Sequence, residues 1–309
     1  MADSRKVIEK TSCLPLWLCS LGVAFLALVV YSLTLANYVF PGESAHLFTQ
    51  WMGMDALTSP QSPIWGAVVK AVGGMTFPAS VAMRINLVSL ACGVLSAGLV
   101  CGLVGFFVRN TVSQEDTVKF MGGASLIAGL TSGLAFVFST AVWQSSTHLE
   151  FRMFDVCCAL LLFFLFVPML RWSRLLPLFA ALLGIGVAAG LVESVIFIPL
   201  VPVFLLCVVV ASVKTGWRFY LPVGLFLFLG AVFYMIFACS VANSYLQLPE
   251  AAAGKFTDVG SVLVKVIQEY AHEMRQWVGR PGWLFVVILS VVPFAAVILF
   301  AGPAVDCNG

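Results

Sequence analysis

Charged residues are scarce in this chain: they make up 10% of its 309 residues, against about 25% in an average soluble domain. Hydrophobic residues make up 61%, and a water-soluble fold cannot bury that much apolar surface, because the interior grows more slowly than the chain. A net charge of +2 gives no support for a nucleic-acid partner. The composition excludes a soluble domain and predicts a protein whose main partner is the lipid bilayer.

Several catalytic motifs are also missing. The chain has no HExxH or comparable metal-ligand spacing, no phosphate-binding glycine loop, no GxSxG elbow and no redox CxxC. A divalent metal held by a histidine together with Glu43 or Glu150 therefore has no spacing to support it, and no cofactor is predicted. Nine cysteines are present, but their positions in or beside apolar runs indicate small buried hydrophobic residues.

Long apolar runs are what the sequence has instead, and a spanning helix needs about 20 such residues. The predicted spans are Leu14–Ala36, Ala79–Val108, Met121–Trp143, Phe154–Leu170, Leu175–Val192, Val195–Val213, Phe219–Ala242 and Trp283–Ala301. Phe154–Leu170 is short for a full crossing, and Leu175–Val213 is either a hairpin or one broken helix. The runs predict an all-α membrane protein, a polytopic bundle of about eight transmembrane helices in a single domain over residues 1–309.

Lysine and arginine are concentrated in loops that fall on one side of these spans, which predicts that this side is cytoplasmic. They are Arg5, Lys6, Lys10, Arg109, Lys119, Arg171, Arg174, Lys214 and Arg218. Residues 1–13 are then a cytoplasmic N-terminus, and the first span, too long for a signal peptide, is retained. The extracytoplasmic segments are Asn37–Pro78, Gln144–Met153, Glu193–Ser194 and Asn243–Gly282, which hold the histidines and most of the unusual acids. Any chemistry is therefore predicted on the extracytoplasmic face.

Two of these extracytoplasmic segments are predicted to contain amphipathic helices that lie on the membrane surface. Within 243–282, apolar residues recur at helical spacing from Val262 to Trp277, with charged residues on the other face. Ser62–Val72 is a weaker case, with Pro63 well placed at a helix start. The alternative for both is a loop packed between spans. The short tail Ala304–Gly309, without a basic stop, predicts that the chain is truncated.

The first candidate for chemistry is Glu43, which follows the turn at Pro41 and Gly42 just after the first span. A carboxylate at the outer membrane surface, beneath interfacial helices, is partly desolvated, so its basicity can suit proton abstraction. The alternative is a solvated loop acid.

A second concentration of polar residues lies in Ala141–Asp155, where the third span emerges. It comprises Trp143, Gln144, His148, Glu150, Arg152 and Asp155. Arg152 either holds a phosphate or pairs with a neighbouring acid. Arg84 and Asn86 begin the second span, where snorkelling to headgroups is the simpler explanation of Arg84. Glu193 is either a turn residue or an acid within the membrane.

These segments resemble the bacterial membrane proteins of domain of unknown function 2723, which are similar to GT-C glycosyltransferases and to a eukaryotic transmembrane O-mannosyltransferase. PGESAH aligns with that family's GDSGE-like motif, so that Glu43 and Ser44 take the places of its Asp and Ser. TSPQSPI falls on its HPPGYPL-like motif, RINLVSL on its RVNLLS, and Trp143 with Glu150 on its W-S-Q-x-x-x-A-E-V-Y stretch. The resemblance covers residues 14–210.

The chain departs from that pattern at several positions. His46 replaces the second acid of the first motif, Thr58 the histidine of the second, and Ser62 its tyrosine. A later NH-type motif is present only as Glu193 and Ser194. The resemblance therefore supports the fold better than it supports intact catalysis.

The resemblance implies a GT-C-like enzyme that takes a sugar from a polyprenyl-phosphate carrier and adds it to a protein or glycan acceptor outside the cytoplasm, in a bacterial inner membrane. It implies Glu43 as the base, with Glu150 as a second catalytic candidate. The remaining candidates would bind substrate: Ser44, His46, Arg84, Asn86, Trp143, His148, Arg152 and Glu193. The alternatives are a non-catalytic membrane scaffold of the same fold and a transporter or lipid-binding protein, although transporters usually show two related halves.

Overall fold

The structure, a computed structural model, describes residues 14–39, 43–51, 62–76, 79–111, 118–171, 176–194 and 197, with separate helical positions between 224 and 275. Within these ranges all regular structure is helical, which confirms the all-α prediction for that part of the chain. Eight helices follow in order: α1 Leu14–Leu33, α2 Glu43–Trp51, α3 Pro63–Gly73, α4 Val81–Thr111, α5 Val118–Val137, α6 Thr140–Thr147, α7 Phe151–Arg171 and α8 Leu176–Glu193.

Internal contacts divide the chain into two units. The first unit, Met1–Phe40 with Pro78–Leu160, holds α1, α4, α5, α6 and the start of α7. The second, Pro41–Phe77 with Leu161–Gly309, holds α2, α3, the rest of α7 and α8. A single membrane domain over the whole chain stays a prediction.

The first unit is built on the mutual packing of α1, α4 and α5. Its core is apolar and consists of Val23, Ala27, Tyr31, Leu90, Ala97, Cys101 and Val137. Small residues let the backbones approach: a Cβ on Gly129 of α5 would lie 2.7 Å from the carbonyl oxygen of Cys101, and one on Gly133 would lie 2.9 Å from the Cys101 Cβ. Close approach at small residues is how helices associate in lipid, where apolar side chains gain little from each other.

The third predicted span, Met121–Trp143, is not one continuous helix. It breaks at Phe138 and Ser139, and α5 and α6 meet at a bend of 61°. The Tyr31 hydroxyl of α1 donates a 3.1 Å hydrogen bond to the carbonyl of Val137, at the end of α5. A side chain that enters the helical hydrogen-bond ladder is a known cause of such a kink, and the pair remains one broken span or a re-entrant segment.

Two helices, Pro15–Leu33 and Val81–Arg109, are long and apolar enough to cross a membrane, or up to three with the bent pair, within the described residues. Helices α7 and α8 also form where spans were predicted. Of the other predicted spans, Trp283–Ala301 lies outside the described residues, Val195–Val213 is described only at Phe197, and Phe219–Ala242 is described only at separate helical positions. The count of about eight therefore stays a prediction.

The second unit contains helices where the sequence predicted an extracytoplasmic loop. The weaker amphipathic helix, Ser62–Val72, is confirmed as a helix: it is α3, with Pro63 in its first turn. Helix α2, which begins at Glu43, was not predicted. In the predicted helix Val262–Trp277, the described positions are helical and exposed, as at Gln268 and Arg275.

Candidate functional site

Asn86 fixes the turn that follows α1. Its side chain is buried, and its Nδ2 donates hydrogen bonds of 2.7 Å to the carbonyl of Ala36 and 3.3 Å to that of Tyr38. Chain reversals leave carbonyls without helical partners, and Asn86 supplies donors for two of them. The start of α4 and the end of α1 are thereby joined in the first unit.

Arg84 lies half a turn before Asn86 on α4. Its Nε is buried, and so is the Oδ1 of Asn86, and neither atom has a hydrogen-bond partner among the described residues. Buried polar atoms are nearly always hydrogen-bonded in folded proteins. The start of α4 therefore has one buried donor and one buried acceptor whose hydrogen-bonding capacity is unused within the described part of the chain.

Helix α6 is tied to the same end of α1. The N–H of Ala36 donates to the carbonyl of Thr147 at 3.2 Å, and the Trp143 Nε1 donates to the Thr34 hydroxyl at 2.9 Å. On the other side α6 contacts α4 so closely that a Cβ on Gly93 would collide with the Ser146 side chain. Trp143 and the end of α6 are thus held in place by α1 and α4.

His148 follows α6 directly. Its Nδ1 lies 2.8 Å from the carbonyl oxygen of Gln144 and 3.1 Å from the Thr147 hydroxyl. A carbonyl oxygen can only accept, so the Gln144 contact requires the proton on Nδ1. In the neutral imidazole, Nε2 then carries the lone pair.

Glu150 and Arg152 form an ion pair, with 2.8 Å between the Oε1 of Glu150 and the Nη1 of Arg152. The Glu150 backbone contacts the Ser89 hydroxyl of α4 through both its carbonyl and its N–H, at 3.4 and 3.5 Å. The Arg152 side chain is 55% exposed and that of Glu150 is 17% exposed. Glu150 is therefore anchored, and it holds an accessible guanidinium beside the end of α4.

In the second unit, α2 carries Glu43 as its first residue, followed by Ser44 and His46. Ser44 is half-buried, and the side chains of Glu43 and His46 lie outside what the structure describes. Helix α2 contacts α3, and α3 contacts α8. The helix that bears the predicted base therefore adjoins the helix that Glu193 contacts.

Glu193 is the last residue of α8, and it is 5% exposed. Its Oε2 accepts the N–H of Ile64 at 2.7 Å, and its Oε1 accepts the N–H of Trp65 at 2.9 Å. This carboxyl directly follows the predicted span Leu175–Val192. Burial raises its pKa to about 7, because the loss of solvation outweighs the lowering effect of the N–H bonds from Trp65 and Ile64. The pair of bonds forms a cap on the first turn of α3, here called the Glu193 cap.

The structure thus places the predicted residues in two groups. The first unit brings together Arg84, Asn86, Trp143, His148, Glu150 and Arg152, and the second contains Glu43, Ser44, His46 and Glu193. Sequence reasoning missed the partners Thr34 and Trp65, because a threonine and a tryptophan in apolar runs carry no signal of distant contacts. Ser89 was matched as part of RINLVSL, but its contact with Glu150 was not predicted. In the described part of the chain, no three His, Cys, Asp or Glu residues cluster as metal ligands would.

No curated protein and no solved structure matches the chain. The family model of the Protein O-mannosyl-transferase TMEM260 N-terminal domain matches residues 58–215, about half of the sequence. The matched range includes Arg84, Asn86, Trp143, His148, Glu150 and Arg152 of the first unit, whereas α2 precedes it. The chain belongs to the family of the Protein O-mannosyl-transferase TMEM260 N-terminal domain.

Proposed function

We propose that this protein is a membrane glycosyltransferase of the GT-C type, which moves mannose from a polyprenyl-phosphate donor to a hydroxyl of a protein or glycan on the extracytoplasmic face. The family match over residues 58–215 carries the proposal, because the family is named for a protein O-mannosyl-transferase. Apolar helices that fit a membrane support it, since such a donor is itself held in lipid.

The reaction needs a base and a site for a phosphate leaving group. The acceptor oxygen attacks the anomeric carbon of the sugar, the bond from that carbon to the phosphate oxygen breaks, and polyprenyl phosphate leaves with the bonding electrons. A carboxylate that takes the acceptor proton in the transition state contributes about 100-fold to 10,000-fold. Glu43, at the start of α2, is the proposed base, with Ser44 and His46 beside it for the acceptor.

The first unit supplies groups for the donor. Arg84, whose buried Nε has no partner among the described residues, and the exposed Arg152 would neutralise the charge that develops on the leaving phosphate. Glu150 orients Arg152 through their 2.8 Å ion pair.

Polar and aromatic side chains of the same unit would bind the sugar. Trp143 offers an aromatic face, and Asn86 offers its buried Oδ1. The Nε2 of His148 accepts a hydrogen bond in the tautomer that Gln144 imposes.

Transfer of radiolabelled mannose in isolated membranes tests this proposal. Membranes with the wild-type protein and polyprenyl-phosphate mannose should label an acceptor, and Glu43→Gln should reduce the rate at least about 100-fold at equal expression. Glu115→Gln is the matched control, because it changes an acid in a loop predicted to be cytoplasmic. Equal transfer by wild type and Glu43→Gln would remove Glu43 from the mechanism. No transfer by well-folded wild type would favour the non-catalytic scaffold.

A further inference from the structure

The Glu193 cap joins two segments that are far apart in the sequence. Both carboxylate oxygens of Glu193 are used, one by the N–H of Ile64 and one by the N–H of Trp65, at 2.7 and 2.9 Å. The Ser62 hydroxyl adds a longer contact of 3.5 Å to the Glu193 carbonyl. Residues 62–65 therefore meet the end of α8 through both the side chain and the backbone of one residue.

Helix α3 does not cap its own N-terminus. The first N–H groups of a helix have no partner within it, and local serine side chains often supply one. Here Ser62 makes no side-chain cap bond and has the left-handed backbone angle φ 54°, which is unfavourable for a residue with a Cβ. Pro63 has no N–H to satisfy. The acceptors that α3 needs come from Glu193, whose two carboxyl oxygens accept the N–H groups of Ile64 and Trp65.

Apolar packing surrounds these polar contacts. Trp65 and Val69 on α3 are completely buried. On α8, a Cβ on Gly190 would collide with the ring of Phe197, which is also buried. Water is therefore largely excluded from the cap, and a hydrogen bond in such surroundings is stronger than one in solvent.

We propose that Glu193 is a positioning residue, which fixes the start of α3 and, through the contact of α3 with α2, the placement of Glu43. Its effect on the reaction rests on the proposed function, in which Glu43 is the base, whereas its effect on α3 does not. Glu193 is 5% exposed and both of its carboxyl oxygens accept backbone N–H groups, so its proposed effect on the reaction is through α3 and α2.

A kinetic comparison separates positioning from substrate binding. For Glu193→Gln and Glu193→Ala, we expect kcat for mannose transfer to fall about tenfold or more, while KM for the lipid-linked donor changes less than about threefold. Glutamine keeps one acceptor oxygen, so kcat should fall less in Glu193→Gln than in Glu193→Ala. Such a partial rescue is expected if Glu193 acts by capping α3. A rise in KM with unchanged kcat would show that Glu193 binds substrate and would overturn the proposal.

Labelling of an introduced cysteine tests the cap without any need for activity. Val69→Cys places a thiol on the buried face of α3, and Ala67→Cys places one on its exposed face. With Glu193 intact, a membrane-impermeant maleimide should modify position 67 but not 69. With Glu193→Ala, position 69 should become reactive, whereas with Glu193→Gln, which keeps one acceptor oxygen, it should react more slowly than with Glu193→Ala. The parent chain with its nine native cysteines gives the background.

The kinetic experiment and the labelling experiment distinguish failure of the proposed function from failure of the positioning role. If wild type transfers no mannose but position 69 is protected only when Glu193 is present, the proposed function fails and the fixing of α3 stands. If position 69 stays protected in Glu193→Ala while that variant remains folded, the positioning role is wrong, whether or not the protein transfers mannose.

Discussion

Asn86 shows how one side chain can determine a local fold at the residue scale. It is buried, and it satisfies the carbonyls of Ala36 and Tyr38 after α1. A buried acceptor left without its donor costs about 1–3 kcal/mol, and here one residue serves two. The position of the chain that leaves the first span therefore depends on an amide fifty residues away.

Replacement of Asn86 by alanine should lower the free energy of unfolding by about 1–3 kcal/mol, measured by thermal denaturation in detergent. Ser132→Ala is the control, because its hydroxyl donates only to the Gly129 carbonyl of its own helix, which keeps its backbone donor. That change should cost less than about 0.5 kcal/mol. Equal effects of the two substitutions would contradict the role assigned to Asn86.

At this scale, residue type predicted candidates better than contacts. The ion pair between Arg152 and a neighbouring acid was one of two alternatives from sequence, and the structure contains it with Glu150. The partners of Glu193 were not predictable, because they are backbone N–H groups about 130 residues earlier, and every residue type except proline has one. A contact with a backbone donor therefore cannot be predicted from the residue type at that position.

Close helix packing is the main determinant at the scale of elements. Helices α4 and α5 meet where Gly129 faces the backbone of Cys101. Since helices in lipid gain little from apolar contact alone, loss of such close approach is costly. Gly123, on the same helix, has open space at its Cβ position, with no atom within 4 Å.

Gly129→Ala and Gly123→Ala should therefore have opposite effects on stability. The first places a methyl group 2.7 Å from a backbone oxygen, which should destabilise the fold by about 1–3 kcal/mol. The second should stabilise it by about 0.5–1 kcal/mol, because alanine restricts the unfolded chain. Thermal denaturation of the two variants beside wild type measures both, and destabilisation by Gly123→Ala equal to that by Gly129→Ala would be inconsistent with this packing.

The protonation state of Glu193 should control how stably the Glu193 cap fixes the first turn of α3. The pKa of the capped carboxyl is raised from 4.5 to about 7, so the capped state binds the proton more tightly than a released, solvated glutamate does. The cap is therefore most stable at low pH, and it weakens as pH rises between 4.5 and about 7. Charge on a desolvated carboxylate favours its release into water.

The labelling rate of Val69→Cys relative to Ala67→Cys should accordingly rise about tenfold or more from about pH 5 to about pH 8. The ratio cancels the pH dependence of thiol reactivity. The Glu193→Gln variant keeps every other charged side chain of α2 and α3, so its ratio should be flat. A wild-type ratio that falls with pH would reverse the assigned sign.

Helix positions were largely predictable from apolar runs, and helix continuity was not. Helices α1, α4, α7 and α8 begin within three residues of the predicted spans Leu14–Ala36, Ala79–Val108, Phe154–Leu170 and Leu175–Val192. The bend at Phe138 was missed because it depends on the Tyr31 hydroxyl of another helix. Helix α2 was missed because its run, ESAHLFTQW, is only moderately apolar.

At the scale of the whole molecule, composition and motif order led to the family. The scarcity of charge predicted a membrane protein, and the family match over residues 58–215 gives it a place among O-mannosyl-transferase-like proteins. The motif that contains Glu43 lies before the matched range. The base assignment therefore depends on the first-loop resemblance, and the donor site depends on the polar groups of the first unit.

The most direct test of the central claim uses purified wild-type protein in vesicles that contain polyprenyl-phosphate mannose with a labelled sugar. We expect mannose to appear on a hydroxyl of an added protein or glycan acceptor, with release of an equal amount of polyprenyl phosphate. Folded protein that transfers mannose from none of the polyprenyl-phosphate donors, to none of the acceptors, would contradict the assignment as a glycosyltransferase.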